Sequence, residues 1–155
     1  MEIKSYLTSL GIKFKTFSHP PVYTCEEAKR YSNKIKGIHS KNLFLKDKKG
    51  ENFYLVIIPE YKKLQIKDLE KNLGQKLTFA DEKDLKSLLN LTSGAVSPFG
   101  LINDKELKTK LIIDKKILDS EFKSFHPNVN TETLELTKEN FGKYLNSIKN
   151  KITII

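Results

Sequence analysis

Ile3, Tyr6, Leu7 and Leu10 recur at intervals of three and four, and Gly11 follows at a natural stop, so the chain opens with a short amphipathic helix. Residues 14–17 predict a strand. His19, Pro20 and Pro21 then enforce an extended passage, because neither proline donates a backbone hydrogen bond. Thr24 and Glu27 form a capping box, which predicts a helix over 24–33. Residues 42–46 and 53–58 read as a hairpin joined at Asp47, Lys48, Lys49 and Gly50. The unbroken apolar run 54–58 marks its second arm as a central strand covered on both faces. A helix over 67–72 stops at Gly74, a short strand covers 77–80, and Asp81 caps a helix carrying Leu85, Leu88 and Leu89. Gly94, Pro98 and Gly100 shape a loop over 94–100. Strands are expected over 111–114, 121–125 and 133–136. Thr137 caps a last helix to about residue 148, with Phe141, Tyr144, Leu145 and Ile148 on one face. Strands and helices mix without strict alternation, so the class is mixed α/β (α+β). No repeat or linker divides the chain, so one domain over 1–155 is expected.

The longest apolar run is far short of the roughly 20 residues of a membrane span, and no secretory signal pattern opens the chain. A single cysteine, Cys25, has no partner for an internal disulfide, which fits a cytoplasmic protein. The 28 Lys and Arg against 19 Asp and Glu leave a net charge of +9. That surplus suits a polyanion such as RNA, and equally suits a solvated Lys-rich surface.

The chain has no nucleophile elbow, paired-cysteine zinc spacing, P-loop or dinucleotide fingerprint. Cys25 reads as a small apolar residue in a first helical turn rather than a nucleophile. His19, His39 and His126 are too widely spaced to suggest a metal site. Three segments carry candidate chemistry. In 39–45, period-two alternation puts Lys41, Leu43 and Leu45 on one strand face and Asn42, Phe44 and Lys46 on the other. Lys41 there is either a phosphate or carboxylate anchor or a solvated strand end. The loop 94–100 either brings backbone N–H groups close to a ligand or is a connecting turn. In Phe125, His126, Pro127 and Asn128, the imidazole either donates to a substrate oxygen or satisfies a loop carbonyl.

Taken in order, these segments resemble the YbaK/ProX-like family of prolyl-tRNA editing proteins. The resemblance rests on His19-Pro20-Pro21-Val22-Tyr23-Thr24 with Glu26-Glu27-Ala28, and on Lys41-Asn42-Leu43-Phe44-Leu45-Lys46-Asp47-Lys48-Lys49-Gly50. It continues through Gly94-Ala95-Val96-Ser97-Pro98-Phe99-Gly100-Leu101-Ile102-Asn103-Asp104 and Phe125-His126-Pro127-Asn128.

The resemblance implies a mixed, mainly antiparallel sheet flanked by helices, and it is strongest to the free-standing branch that hydrolyses Ala-tRNA(Pro). It implies that Lys41 contacts the tRNA terminus and Asn42 positions the ester. Gly94, Ala95, Val96, Ser97 and Pro98 would cradle the scissile carbonyl, with His126 near the aminoacyl group. Cys25 stands where the family pattern leads us to expect an aliphatic residue, and it joins the acyl-pocket candidates. The expected partners are a mischarged tRNA, namely tRNA(Pro), and prolyl-tRNA synthetase. No metal or organic cofactor is expected. An aminoacyl ester is already activated, so its hydrolysis needs a positioned water and a stabilised oxyanion more than a strong nucleophile. The alternative from another class is a catalytically silent aminoacyl-tRNA binding module or synthetase-associated regulator.

Overall fold

A computed structural model describes residues 2–21 and 35–155. The helix expected over 24–33, and Cys25 with it, lies outside the described residues. The remaining elements, in chain order, are α1 (Ile3–Ser9), β1 (Lys15–Ser18), β2 (Ser40–Asp47), β3 (Phe53–Pro59), α2 (Ile66–Leu73), β4 (Leu77–Phe79) and α3 (Glu82–Leu89). Two 3-10 turns, Ser93–Ala95 and Pro98–Asn103, occupy the glycine-bounded loop. They are followed by β5 (Thr109–Ile113), α4 (Lys115–Asp119), β6 (Phe122–Phe125), β7 (Glu132–Thr137), α5 (Lys138–Ser147) and β8 (Ile152–Ile154).

The strands form two sheets, one ordered β1-β7-β6 and one ordered β4-β2-β3-β5-β8. The smaller sheet and the β4-β2-β3 part of the larger are antiparallel. β3 pairs with β5, and β5 with β8, in parallel. The class is therefore the expected mixed α/β, mainly antiparallel with a parallel end.

Every residue of β3 is buried because both its faces are covered. Leu55 and Ile57 face the main core, which also takes Phe44, Leu111 and Ile113 from the larger sheet and Phe125, Leu134 and Leu136 from the smaller. On the reverse face Tyr54, Val56 and Ile58 join Leu45, Ile112 and Leu69 of α2. The hairpin turn is held by Asp47, whose carboxylate accepts from Glu51 N–H and Asn52 Nδ2, while Gly50 takes a left-handed φ of 70°. α3 starts on the expected Asp81 cap, which the structure extends to a capping box with Asp84, and ends on left-handed Asn90.

The two sheets are joined where the lead-in to β2 meets β6. Ile38 bridges Lys123, and Ile38 N–H donates to the Phe122 carbonyl. A Cβ on Gly37 would lie 2.6 Å from the Lys123 carbonyl carbon, so only glycine permits this approach. The β2 lead-in with His39, and through it the start of β2 with Lys41, is thereby fixed relative to β6, the strand that precedes His126.

Candidate functional site

β6 carries Phe125 into the core and delivers His126 at its end. His126 is half-buried, and its Nδ1–H donates to the Glu132 carbonyl at 2.8 Å. A carbonyl only accepts, so the neutral ring keeps its lone pair on Nε2. Burial pushes the imidazole below its usual pKa. The Glu132 carbonyl opposes that shift, and the neighbouring His19 adds to it.

The ring of His19 meets that of His126 edge to face, 5.9 Å between centroids. His19 Nδ1–H donates to the Pro20 carbonyl at 2.9 Å, which leaves Nε2 to accept from the Thr133 hydroxyl, also at 2.9 Å. Wide sequence spacing made the histidines look unrelated, yet the β1–β7–β6 pairing brings two of them together. The His19-Pro20-Pro21 motif was the available signal for this partner, and Thr133 carried none.

The loop 94–100 is anchored to the same strand end. Phe99 packs edge to face on Phe125 at 5.9 Å and on Tyr144 at 5.1 Å. The buried Tyr144 hydroxyl donates to the Pro98 carbonyl at 2.6 Å. Ser97 is fully buried and its hydroxyl accepts from Phe99 N–H, so it caps the second 3-10 turn. Ala95 and Pro98 are buried, while Gly94 and Val96 are half-buried. Downstream, the buried Asp104 accepts from the N–H groups of Lys108 and Thr109 and from Asn150 Nδ2. It therefore ties the loop to β5 and to the entry of β8.

Lys41 and Asn42 take opposite faces of β2, as alternation predicts. Asn42 shares the face of Phe44, toward the core that also receives Phe99 and Phe125, and its amide oxygen accepts from the Ser40 hydroxyl at 3.3 Å. Lys41 shares the face of Leu45, toward α2, and its ammonium donates to the Lys62 carbonyl at 2.8 Å. Asn42 and the loop thus border one core, and Lys41 stands on the other side of the sheet.

A cleft of about 320 Å³ opens beside the 126–132 turn, lined among others by Lys4, Asn90, Asn103, Asn128 and Glu132. Lys4 forms an ion pair with Glu132 there. Asn128 holds a left-handed φ of 63°, and its buried amide oxygen has no hydrogen-bond partner. Among the described residues, no group of three or more His, Cys, Asp and Glu side chains is arranged to hold a metal ion.

The motif order, the loop packed on the β6 end and the histidine that follows it define a class. The chain belongs to the aminoacyl-tRNA editing domain family, whose model matches residues 19–144, and is an enzyme of the aminoacyl-tRNA deacylase type. It is 37% identical over 150 residues to the prolyl-tRNA editing protein ProX of Acetoanaerobium sticklandii, covering 96% of this chain and 92% of that one. It is 36% identical over 145 residues to prolyl-tRNA synthetase associated domain-containing protein 1 of Mus musculus, covering 90% and 85%. In fold it matches the crystal structure of hypothetical protein APE2540, with a TM-score of 0.78 at 17% identity, covering 99% of this chain and 98% of that one. A structure assigned as a trans-editing enzyme for prolyl tRNA synthetase matches with a TM-score of 0.73 at 17% identity, covering 99% and 93%. No described helix is long and apolar enough to cross a membrane.

Proposed function

We propose that this deacylase acts in trans, as one cytoplasmic editing domain, and hydrolyses alanine misattached to tRNA(Pro). The observation that carries the reading is the glycine-bounded loop packed through Phe99 on the strand that delivers His126. The likeness to ProX over nearly the full length of both chains supports prolyl-tRNA editing as the setting.

In this reading, water attacks the ester carbonyl and backbone N–H groups after Gly94 hold the oxyanion that forms. The tetrahedral intermediate collapses to free alanine and a ribose hydroxyl. The ribose hydroxyl next to the ester helps to activate the water. Asn42 and His126 orient the adenosine end, His126 through the Nε2 lone pair left by its Glu132 contact. Lys41 binds the terminal phosphate. An ammonium has three N–H donors, so the Lys62 carbonyl leaves two for phosphate oxygens. Ala95, Val96, Ser97 and Pro98, with Cys25, bound the acyl pocket. A pocket of limited size rejects a larger acyl group by steric exclusion, so alanine enters and proline does not.

The test is deacylation of labelled Ala-tRNA(Pro) by the purified protein, with Pro-tRNA(Pro) alongside. Loss of alanine with proline retained is the expected result. Loss of both at equal rates would remove the size argument. A second reading, a synthetase-associated module that binds without turnover, draws on the name of the mouse relative. A module of that kind protects the ester, whereas a hydrolase consumes it.

A further inference from the structure

Tyr61 is the most exposed large apolar side chain among the described residues, at 70% of its surface. It sits in the turn that leaves β3, beside the start of β2. Glu60 N–H donates to the His39 carbonyl, Lys62 N–H donates to the Pro59 carbonyl, and Lys41 holds the Lys62 carbonyl. Lys116 places its ammonium over the Tyr61 ring, 5.6 Å from the centroid. The two segments that present ring and cation are locked together by one buried carboxylate, Asp114. Its Oδ2 takes the Lys62 ammonium at 2.7 Å and its Oδ1 accepts Lys116 N–H at 2.8 Å.

That arrangement is a built platform. The ring is fixed through its flanking backbone while remaining 70% exposed, and Lys116 is already in place over it. Asp114 is neutralised by Lys62, and Lys63 and Lys116 have no carboxylate partner among the described residues. Glu60 precedes the ring in the chain, and Asp68 lines the adjoining cleft together with Lys62, Lys63 and Asp114. An aromatic face flanked by lysines is the pattern that binds unpaired nucleotides, because any base stacks on the ring while the cations meet the backbone.

The geometry points to the Tyr61 turn as the stacking platform for the unpaired 3′-terminal nucleotides of the tRNA, next to the Lys41 anchor. This rests on the tRNA-directed reading above and adds to it the path of the single-stranded end. Phosphates running past Lys116 and Lys63 would reach Lys41 with a base stacked on Tyr61.

The experiment measures binding of two fluorescent RNA microhelices that share one acceptor-type stem, one with a four-nucleotide unpaired 3′ end and one blunt. The proteins are wild type, Tyr61→Ala and Tyr61→Phe. Wild type should prefer the overhang. Tyr61→Ala should lose about tenfold on the overhang RNA, bind the blunt RNA as wild type does, and be matched to wild type again by Tyr61→Phe. Equal affinity of wild type and Tyr61→Ala for the overhang RNA overturns the platform. So does a wild type indifferent to the overhang. Overhang-dependent binding in a protein that consumes no aminoacyl ester would instead sink the catalytic reading and leave the platform standing.

Discussion

The imidazoles of His19 and His126 meet edge to face at 5.9 Å, and each ring has its Nδ1–H committed to a backbone carbonyl. Burial holds the His126 pKa below the usual imidazole value of about 6.5, and in the neutral ring the Nδ1–H bond leaves Nε2 as an acceptor. A depressed histidine is unprotonated in the fold but takes up a proton once unfolded. Its contribution to stability is complete above about pH 6.5 and is lost as pH falls through the folded value. Protonation also removes the Nε2 acceptor. Deacylation should fall on the acid side with an inflection below 6.5, and in His126→Gln, whose amide does not titrate, that limb should vanish from kcat/KM against pH. An unchanged acid limb in the variant would assign the titration elsewhere.

Tyr144 fixes the loop from below through its bond to the Pro98 carbonyl. Burial raises its phenol well above the ordinary value, so the hydroxyl remains a donor across the working pH range. Tyr144→Phe keeps the edge-to-face contact with Phe99 and the stack on Phe141 and deletes only the hydroxyl. It should cost roughly 1 to 2 kcal/mol in urea unfolding, since a buried carbonyl loses its partner. It should also slow deacylation at saturating substrate, because the 94–98 backbone is no longer held. A variant as stable as wild type with reduced turnover would show that the bond serves loop placement rather than folding.

Lys41 should act as a phosphate contact with an ionic-strength signature. Lys41→Ala should weaken tRNA binding and lower the slope of log affinity against log salt by roughly 0.7 to 0.9, the share of one neutralised phosphate. An affinity loss with an unchanged slope would mean that Lys41 acts only by holding the Lys62 carbonyl and the turn beyond it.

Much of this architecture was legible because local signals agreed with tertiary burial. The run 54–58 was read as doubly covered, and β3 is buried throughout. The Asp81 cap, the Gly74 stop and the face carrying Phe141 and Tyr144 all hold. Two elements were missed for physical reasons. α4 is five residues long, too short for a helical period to register, and it starts on a cap by Asp114 that is visible only once Asp114 is placed. β8 is three residues long with two of them exposed, and it forms because β5 offers a parallel edge. For the candidate site, chain order singled out Lys41, Asn42, the loop and His126 as the residues to test. Alternation correctly separated Lys41 from Asn42. Nothing local signalled that His19 would reach His126, since that contact is made by strands paired from opposite ends of the chain.

Lys123 is wholly buried on β6 itself, where its ammonium donates to the Leu118 and Ser120 carbonyls and lies 6.0 Å from the Phe141 centroid. Its pKa is pushed down to about 8, chiefly by burial and also by the nearby Lys138 ammonium, with Asp119 opposing. In the unfolded chain the same amine titrates near 10.4. Between about pH 8 and 10.4 the unfolded state thus binds more protons, so the stability of the fold should rise with pH across that window. Urea unfolding of wild type and Lys123→Met at pH 7.5 and 10 isolates the effect, because methionine fills similar volume and does not titrate. Wild type should gain roughly 1 to 3 kcal/mol on the variant between those two conditions. A difference that stays constant would mean that the two carbonyls keep the buried ammonium charged, and that hydrogen bonding outweighs desolvation at this lysine.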